Sequence, residues 1–290
     1  MTEEWTNIIT PKTKWYKINL SEIWEYRDLI FIFVKRDIIS IYKQTILGPI
    51  WFLLGPLFTV FVYTFLFSGI AKIPTEGLPG PLFYLSGTTL WNYFQQSFNS
   101  TSSTFVSNSG IFGKVYFPRL VSPISMMISN LFKFFIQMVT FVVFLIIYNI
   151  NGESIYPNLS LVLLPVILFI LGGIAFGGGI IISSLTTKYR DLNQLVGVMI
   201  TLLMYATPIM YPVSTIPLIY RPYLQFNPIS PLVEIFRYSM TGSSSYPMTS
   251  DLIPSQLSAG LLYSFIFMII TVFIGVVLFN KTEKSFMDTV

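Results

Sequence analysis

Cysteine and histidine are both absent from the 290 residues of this chain. Their absence excludes disulfides and Cys/His zinc sites, as well as cysteine nucleophiles and Ser–His dyads. Charged residues are also scarce, at 10% of the chain, whereas soluble domains carry about 25%. Apolar residues make up 53%. This composition excludes an ordinary cytosolic enzyme and favours an all-α protein that crosses a membrane several times.

Motifs for energy coupling within the chain are also missing. A Walker A loop requires G-x-x-x-x-G-K-[ST], and the nearest run, residues 108–115, lacks the first glycine and the hydroxyl after the lysine. None of the thirteen acidic residues lies within the predicted spans given below, although ion-coupled carriers usually keep carboxylates there. We therefore expect no cofactor in this chain, and expect the energy for any uphill transport to come from another subunit.

The long apolar stretches predict six transmembrane helices, at residues 46–71, 82–107, 121–150, 160–185, 195–211 and 258–279. A helix needs about 20 apolar residues to cross the hydrocarbon core. The second stretch turns polar after Trp91. Its polar face has to be hidden from lipid, so this helix is expected to line a water-filled path or a helix interface.

The basic residues orient these spans. Leaving out Lys133, six spans with an inner N-terminus place thirteen Lys and Arg residues inside and three outside, at Lys72, Arg221 and Arg237. Without the second span, nine Lys and Arg residues would lie inside and seven outside. The positive-inside rule therefore favours six spans, with residues 1–45 as a cytoplasmic N-terminal segment and residues 281–290 as a cytoplasmic tail. The membrane domain is then residues 46–280.

Two further elements are predicted outside the spans. Residues 19–36 form an amphipathic helix that is too charged to cross a bilayer, so it lies at the inner interface or packs on a soluble partner. Residues 212–254 are rich in proline but contain apolar segments. These segments predict short re-entrant or outer helices between spans five and six.

Lys133 is the one charged residue within a predicted span. If its helix starts near Val121, it lies about 18 Å along the axis, where an ionisable side chain indicates a functional site. If the helix starts later, Lys133 reaches the inner headgroups instead. Trp51, Phe58 and Phe65 repeat every seven residues on the first span. This aromatic stripe either offers ring faces to a sugar or lipid, or packs against lipid and other helices.

Two inner loops combine aromatic and charged residues, as protein docking surfaces do. They are equally compatible with solvated turns whose charges only set topology. The first loop contains Gly110, Phe112, Lys114, Tyr116, Phe117 and Arg119. The second contains Lys188, Tyr189, Arg190 and Asp191.

A set of short motifs occurs in order across almost the whole chain. The motifs are the run from Arg36-Asp37 to Gly48-Pro49-Ile50-Trp51, Lys114-Val-Tyr-Phe-Pro-Arg119-Leu120, Tyr189-Arg190-Asp191, Ala206-Thr207-Pro208-Ile209-Met210-Tyr211-Pro212, Asn227-Pro228-Ile229-Ser230-Pro231 and Phe236-Arg237. In these residues the chain resembles the permease subunit of type-2 ABC exporters of cell-surface polysaccharides, the group that exports O-antigen, capsule and teichoic acid.

The resemblance implies a homodimer in the bacterial inner membrane that binds two ATPase subunits, with no role for nucleic acid. ATP and Mg²⁺ would be bound by these partner subunits. The two inner loops would be the ATPase-coupling regions, and the N-terminal helix would be a gate. An undecaprenyl-diphosphate-linked O-antigen would follow a path among membrane lipids. The path and gate candidates are Lys35, Arg36, Lys43, Trp51, Phe58, Phe65, Trp91, Lys133 and Arg237.

Other cargoes and classes remain open. Teichoic acid, capsule, or a drug or small lipid would use the same fold and the same partner. A membrane glycosyl- or acyltransferase would need catalytic acids, for which Asp191, Glu234 and Asp251 are the candidates between spans.

Overall fold

The computed structural model describes residues 20–43, 50–189, 191–243, 245 and 254–286. Its regular structure is entirely helical across these residues, which confirms the all-α prediction. The N-terminal region forms α1 (Leu20–Glu25) and α2 (Arg27–Lys43), with Tyr26 between them. The predicted helix over residues 19–36 is thus two consecutive helices and extends to Lys43. Residue 19, the first residue of the predicted helix, lies outside the described residues.

The remaining chain continues as a series of helices. Their bounds are α3 (Trp51–Tyr63) with a π-helical continuation (Thr64–Ile70), α4 (Gly80–Ser102), α5 (Thr104–Ser107), α6 (Ser109–Phe112), α7 (Val121–Ile150), a 3-10 turn (Leu159–Leu163) leading into α8 (Leu164–Thr186), α9 (Leu192–Tyr205), a 3-10 turn (Val213–Thr215), α10 (Arg221–Gln225), α11 (Ser230–Thr241) and α12 (Ser255–Phe286).

Four helical segments among the described residues are long and apolar enough to cross a membrane. They are Leu53–Ile70, Val121–Ile150, Leu159–Thr186 and Gln256–Glu283. They correspond to the predicted spans one, three, four and six. The third coincides with its predicted bounds, and the sixth is longer, continuing to Phe286.

The other two predicted spans differ from this group. Helix α4 has 23 residues, about 34 Å at 1.5 Å per residue, but its second half is polar. Helix α9 has 14 residues, about 21 Å, and ends at Tyr205 rather than at residue 211. Pro208 explains the early end, because proline disfavours helical geometry at the residue before it. The total of six spans therefore stays a prediction.

Helix α4 is the centre of the packed core. It packs against α7 and α8, and α8 packs against α12. Phe83, Leu90 and Trp91 of α4 are buried there. The hydroxyls of Thr88 and Thr101 donate to carbonyls within the same helix, which satisfies them without water. Much of the polar second span therefore lies at helix interfaces.

Helices α8 and α12 approach each other through glycine. A Cβ atom at Gly177 would lie 2.6 Å from backbone atoms of Thr271 and Val272. A Cβ atom at Gly275 would lie 2.7 Å from the carbonyl oxygen of Gly177. Small residues allow such close backbone contact between membrane helices.

Candidate functional site

Four phenylalanines from separate segments form one cluster next to the first predicted coupling loop. Phe105 stacks on Phe279 of α12 at 4.4 Å between ring centroids. Phe112 lies 6.1 Å from Phe105 and 5.7 Å from Phe117. Phe33 of α2 meets Phe117 edge-on at 5.7 Å. We call Phe105, Phe112, Phe117 and Phe279 the phenylalanine cluster. It connects the loop to α12 and α2.

The predicted coupling residues of this loop divide into buried and exposed sets. Phe112 is 2% exposed, and Phe117 and Arg119 are 5% exposed. Tyr116 is 75% exposed, and Lys114 is also on the surface, as is the backbone at Gly110. A partner protein can therefore touch Lys114 and Tyr116 directly. Phe112, Phe117 and Arg119 are too buried for a partner protein to touch directly.

Arg119 closes the loop onto the end of α12. Its Nη1 donates to the carbonyl oxygen of Glu283 at 2.8 Å, and its Nε lies 3.8 Å from Glu283 Oε1. The guanidinium carbon lies 5.5 Å from the centroid of the Phe112 ring. Burial lowers the pKa of Arg119, and the nearby charge of Glu283 opposes this shift. The ordinary pKa of arginine is so high that the side chain stays protonated.

The second predicted coupling loop follows α8. Lys188, Tyr189 and Asp191 are exposed there, and the ammonium of Lys188 lies 5.3 Å from the Tyr189 ring centroid. Arg190 lies outside the described residues. The backbone N–H of Phe105 donates to Ser183 Oγ of α8 at 3.3 Å. The first loop therefore begins beside the helix that leads into the second.

Helix α2 carries the predicted gate cations and packs on α7 of its own chain. Lys35, Arg36 and Lys43 are exposed. Arg36 donates to Asp37 Oδ1 from Nε at 3.0 Å and from Nη2 at 2.8 Å. Its guanidinium carbon lies 4.7 Å from the centroid of the Phe33 ring.

Lys133 lies in a polar group between α7, α4 and α2. Because α7 begins at Val121, Lys133 is about 18 Å along the helix, at 1.5 Å per residue. Its Nζ donates to Asn130 Oδ1 at 2.9 Å, and Asn130 Nδ2 donates to Ser100 Oγ at 2.9 Å. One turn earlier on α7, Ser129 Oγ donates to Asp37 Oδ2 of α2 at 3.5 Å. Sequence reasoning missed Asp37, whose signal was an acid on the face of α2 that meets α7.

The predicted aromatic path residues occupy two environments. Phe58 and Phe65 of the first span are exposed. Trp91 is buried in the core, 5.3 Å from Phe94 between ring centroids. The side chain of Trp51 lies outside the described residues.

Arg237 is buried, with 1% of its side chain exposed. It forms an ion pair with Glu234 and donates to Ser86 Oγ at 3.2 Å and to the Pro208 carbonyl oxygen at 2.9 Å. Its guanidinium carbon lies 3.9 Å from the centroid of the Phe83 ring. Arg237 thus ties α11 to α4 and to the turn after α9. Sequence reasoning missed Glu234 as the partner, although the i,i+3 spacing was a signal.

Comparison with known proteins identifies the family of this arrangement. The family model described as ABC-2 type transporter matches residues 28–241. The match runs from α2 through α11 and includes both predicted coupling loops. This chain belongs to the ABC-2 type transporter family.

Several proteins similar to this chain are described as export or transport proteins. The chain is 29% identical over 263 residues to an O-antigen export system permease protein RfbA of Klebsiella pneumoniae, covering 90% of this chain and 94% of the relative. It is 30% identical over 196 residues to the protein of the same description from Myxococcus xanthus, covering 67% and 72%. It is 26% identical over 259 residues to the polysialic acid transport protein KpsM of Escherichia coli, covering 88% and 93%.

These similarities confirm the predicted resemblance to polysaccharide-export permeases. Family membership and the four long apolar helices also make this ABC-2 protein a multi-pass membrane protein.

Proposed function

We propose that this chain is the transmembrane subunit of an ATP-driven exporter that moves undecaprenyl-diphosphate-linked O-antigen polysaccharide across the bacterial inner membrane. The observation that carries this proposal is the similarity to O-antigen export permeases, which extends over 94% of a relative's length. The exposed phenylalanines of the first span and the cations of α2 suit a cargo with sugar, phosphate and lipid parts.

The energy for transport comes from two copies of a separate ATPase that bind a homodimer of this chain. The missing Walker A motif supports this, since ATP hydrolysis then requires another subunit. Lys114, Tyr116, Lys188, Tyr189 and Asp191 form the docking surface in this proposal, because all five are exposed at the two loops. The phenylalanine cluster and Arg119 hold the first loop in place and transmit its movement to α2 and α12.

The proposed topology has six spans and both termini in the cytoplasm. Helix α4 crosses the membrane despite its polar residues, because α7 and α8 pack against it and shield these polar residues from lipid. Helix α9 completes its crossing together with the turn at Thr207–Pro208. Helices α10 and α11 lie on the outer side or enter the membrane from it, and α1 and α2 lie at the inner surface.

Depletion of this chain from its own cells tests the proposed function. We expect lipid-linked O-antigen to accumulate in the cytoplasmic leaflet while O-antigen disappears from the cell surface. Surface glycan that stays normal would refute polysaccharide export and favour a different cargo. A glycan that is never made would point to a transferase instead.

Capsular polysaccharide is the second candidate cargo, and the similarity to polysialic acid transport proteins favours it. The same depletion experiment separates the two candidates. Accumulation of a capsular glycan with unchanged surface O-antigen would select capsule export.

A further inference from the structure

Glu76 lies in the short loop between the first span and α4, in a backbone conformation that glutamate disfavours. Its φ angle is +56°, and Gly77 after it has a φ angle of +77°. The backbone N–H of Leu78 donates to the carbonyl oxygen of Thr75 at 3.0 Å. These features define a tight turn with two left-handed central residues, where Gly, Asn and Asp are usual. A glutamate is strained in this position and persists there only when contacts hold it.

Two contacts from distant parts of the chain hold Glu76. Its carboxylate accepts a hydrogen bond from Ser214 Oγ, in the 3-10 turn before α10. Its backbone carbonyl oxygen accepts from Ser243 Oγ, just beyond the end of α11, at 2.8 Å. A glycine at this position would relieve the strain but would lose the side-chain contact with Ser214. That contact is therefore what the strained glutamate provides.

Ser214 belongs to a segment that leaves the core and returns to it. At the base of this segment, Asn227 Nδ2 donates to Thr207 Oγ1 at 2.9 Å, which fixes the two ends next to each other. We call residues 213–226, which lie between these ends, the outer flap. The contact of Ser214 with Glu76 joins this flap to the loop before α4.

Arg221 makes the outer flap one unit. Its Nη2 donates to the carbonyl oxygen of Ser214 at 3.0 Å, and its Nε donates to that of Ile216 at 3.0 Å. The 3-10 turn and α10 are therefore tied together, so a contact on Ser214 acts on the whole flap. Val213 is buried next to this contact, and lifting of the flap would expose it.

We propose that Glu76 is a positioning residue that latches the outer flap in its closed position through Ser214, and that this contact breaks when cargo leaves on the outer side. The inference rests on the proposed function for the movement that breaks the latch. One hydrogen bond to a carboxylate favours the closed flap about tenfold, which is weak enough to be released in each transport cycle. The strain at Glu76 favours release, because the turn can relax once the contact is broken.

Thiol labelling of the full-length chain in phosphatidylcholine nanodiscs, without ATP or cargo, tests the latch. The chain has no cysteine, so Val213→Cys introduces a single buried reporter. A maleimide should label this reporter slowly while Glu76 is present. Adding Glu76→Gly or Ser214→Ala is expected to raise the labelling rate about tenfold. Glu76→Gln keeps an acceptor oxygen at the same reach, and the labelling rate should stay within about threefold of that with Glu76.

The glycine variant separates the latch from the shape of the turn. If Glu76 only shaped the turn, Glu76→Gly would leave the labelling rate unchanged, since glycine suits a left-handed backbone better. That result would overturn the proposal. Rapid labelling of Val213→Cys with Glu76 intact would also overturn it, because the flap would then already be open.

A second reporter controls for general loosening of the protein. Val276→Cys is the matched control reporter, because Val276 is buried in α12 and packs with the phenylalanine cluster. Its labelling should stay slow when Glu76→Gly or Ser214→Ala is added. An equal increase at both reporters would show that the whole protein has loosened and would refute the latch.

A reversible cross-link in cells that carry the complete exporter tests the movement of the flap. In Glu76→Cys/Ser214→Cys, a short bifunctional methanethiosulfonate reagent joins the flap to the loop before α4. We expect export of new surface glycan to fall in proportion to the linked fraction and to recover when a reductant cleaves the link. Unchanged export in fully linked cells would overturn the proposal, as would an equal fall in either single-cysteine variant, which would assign the effect to modification alone.

The latch and the proposed function fail separately. Labelling of the introduced cysteine in nanodiscs requires no cargo, so its result stands whatever glycan is exported. The depletion experiment requires no change at Glu76, so its result stands whether or not the flap is latched.

Discussion

The ring of Phe33 in α2 meets the ring of Phe117 edge-on, with centroids 5.7 Å apart and planes 76° apart. This contact joins the N-terminal helix to the loop proposed to bind the ATPase. Because Phe117 also lies 5.7 Å from Phe112, a displacement of the loop reaches α2 through packed rings. The proposed gate helix α2 therefore contacts the phenylalanine cluster of the loop that carries Lys114 and Tyr116 of the proposed docking surface.

Removing the Phe33 ring should loosen α2. In Phe33→Ala we expect faster amide hydrogen exchange across residues 27–43, because α2 loses its contact with Phe117. Phe31→Ala is the matched control, since Phe31 lies on the same helix but is exposed. Equal exchange rates in the two variants would show that the Phe33–Phe117 contact does not hold the helix.

Tyr116 and Phe112 should have separable roles. Tyr116→Ala is expected to reduce co-purification of the ATPase about tenfold, as for an interface hot spot, without changing thermal stability. Phe112→Ala is expected to cost about 3–5 kcal/mol of stability, because it opens a cavity in the phenylalanine cluster. Thermal unfolding and quantitative co-purification on both variants check this pair. Full ATPase recovery with Tyr116→Ala would remove this residue from the docking surface.

Removing one partner of the buried ion pair between Arg237 and Glu234 should destabilise the protein more than removing both partners. Arg237→Met leaves a buried carboxylate without its counter-charge, at an expected cost of about 3–5 kcal/mol. The double variant Arg237→Met/Glu234→Leu should recover most of that loss, since neither charge remains. Arg27→Met, at an exposed arginine, should change the unfolding temperature little. A double variant no more stable than Arg237→Met would refute the charge explanation.

Close packing of α8 on α12 gives a further test at glycine. Gly177→Ala places a methyl group 2.6 Å from the backbone of Thr271 and Val272, and overpacking of this kind costs about 1–3 kcal/mol. Gly197→Ala meets nothing within 4 Å and should stabilise α9 by up to about 1 kcal/mol. Thermal unfolding of both variants compares them directly, and equal effects would contradict the packing role of Gly177.

Helix positions were largely predictable because their signals are local. The third span was predicted at the bounds it has, Val121–Ile150, where proline precedes the apolar run and Asn151-Gly152 follows it. The fifth was predicted too long because residues 206–211 are apolar, and the effect of Pro208 on the backbone before it outweighed that apolarity. The role of the loop at residues 110–119 in coupling stays a prediction, and which of its side chains are exposed was not predictable, since its aromatic residues have no regular period.

By itself the sequence determined the membrane class, the all-α architecture, the missing ATPase motif and the family, because composition and ordered motifs carry these properties. Only the tertiary structure decided that Phe112 and Phe117 are internal while Tyr116 is exposed, that Asp37 of α2 contacts Ser129 of α7, and that Arg237 is held by Glu234 and Ser86. Apolar periodicity predicts that a residue is buried against another helix, but it does not predict which residue it contacts. Contacts between residues distant in sequence depend on how the helices pack.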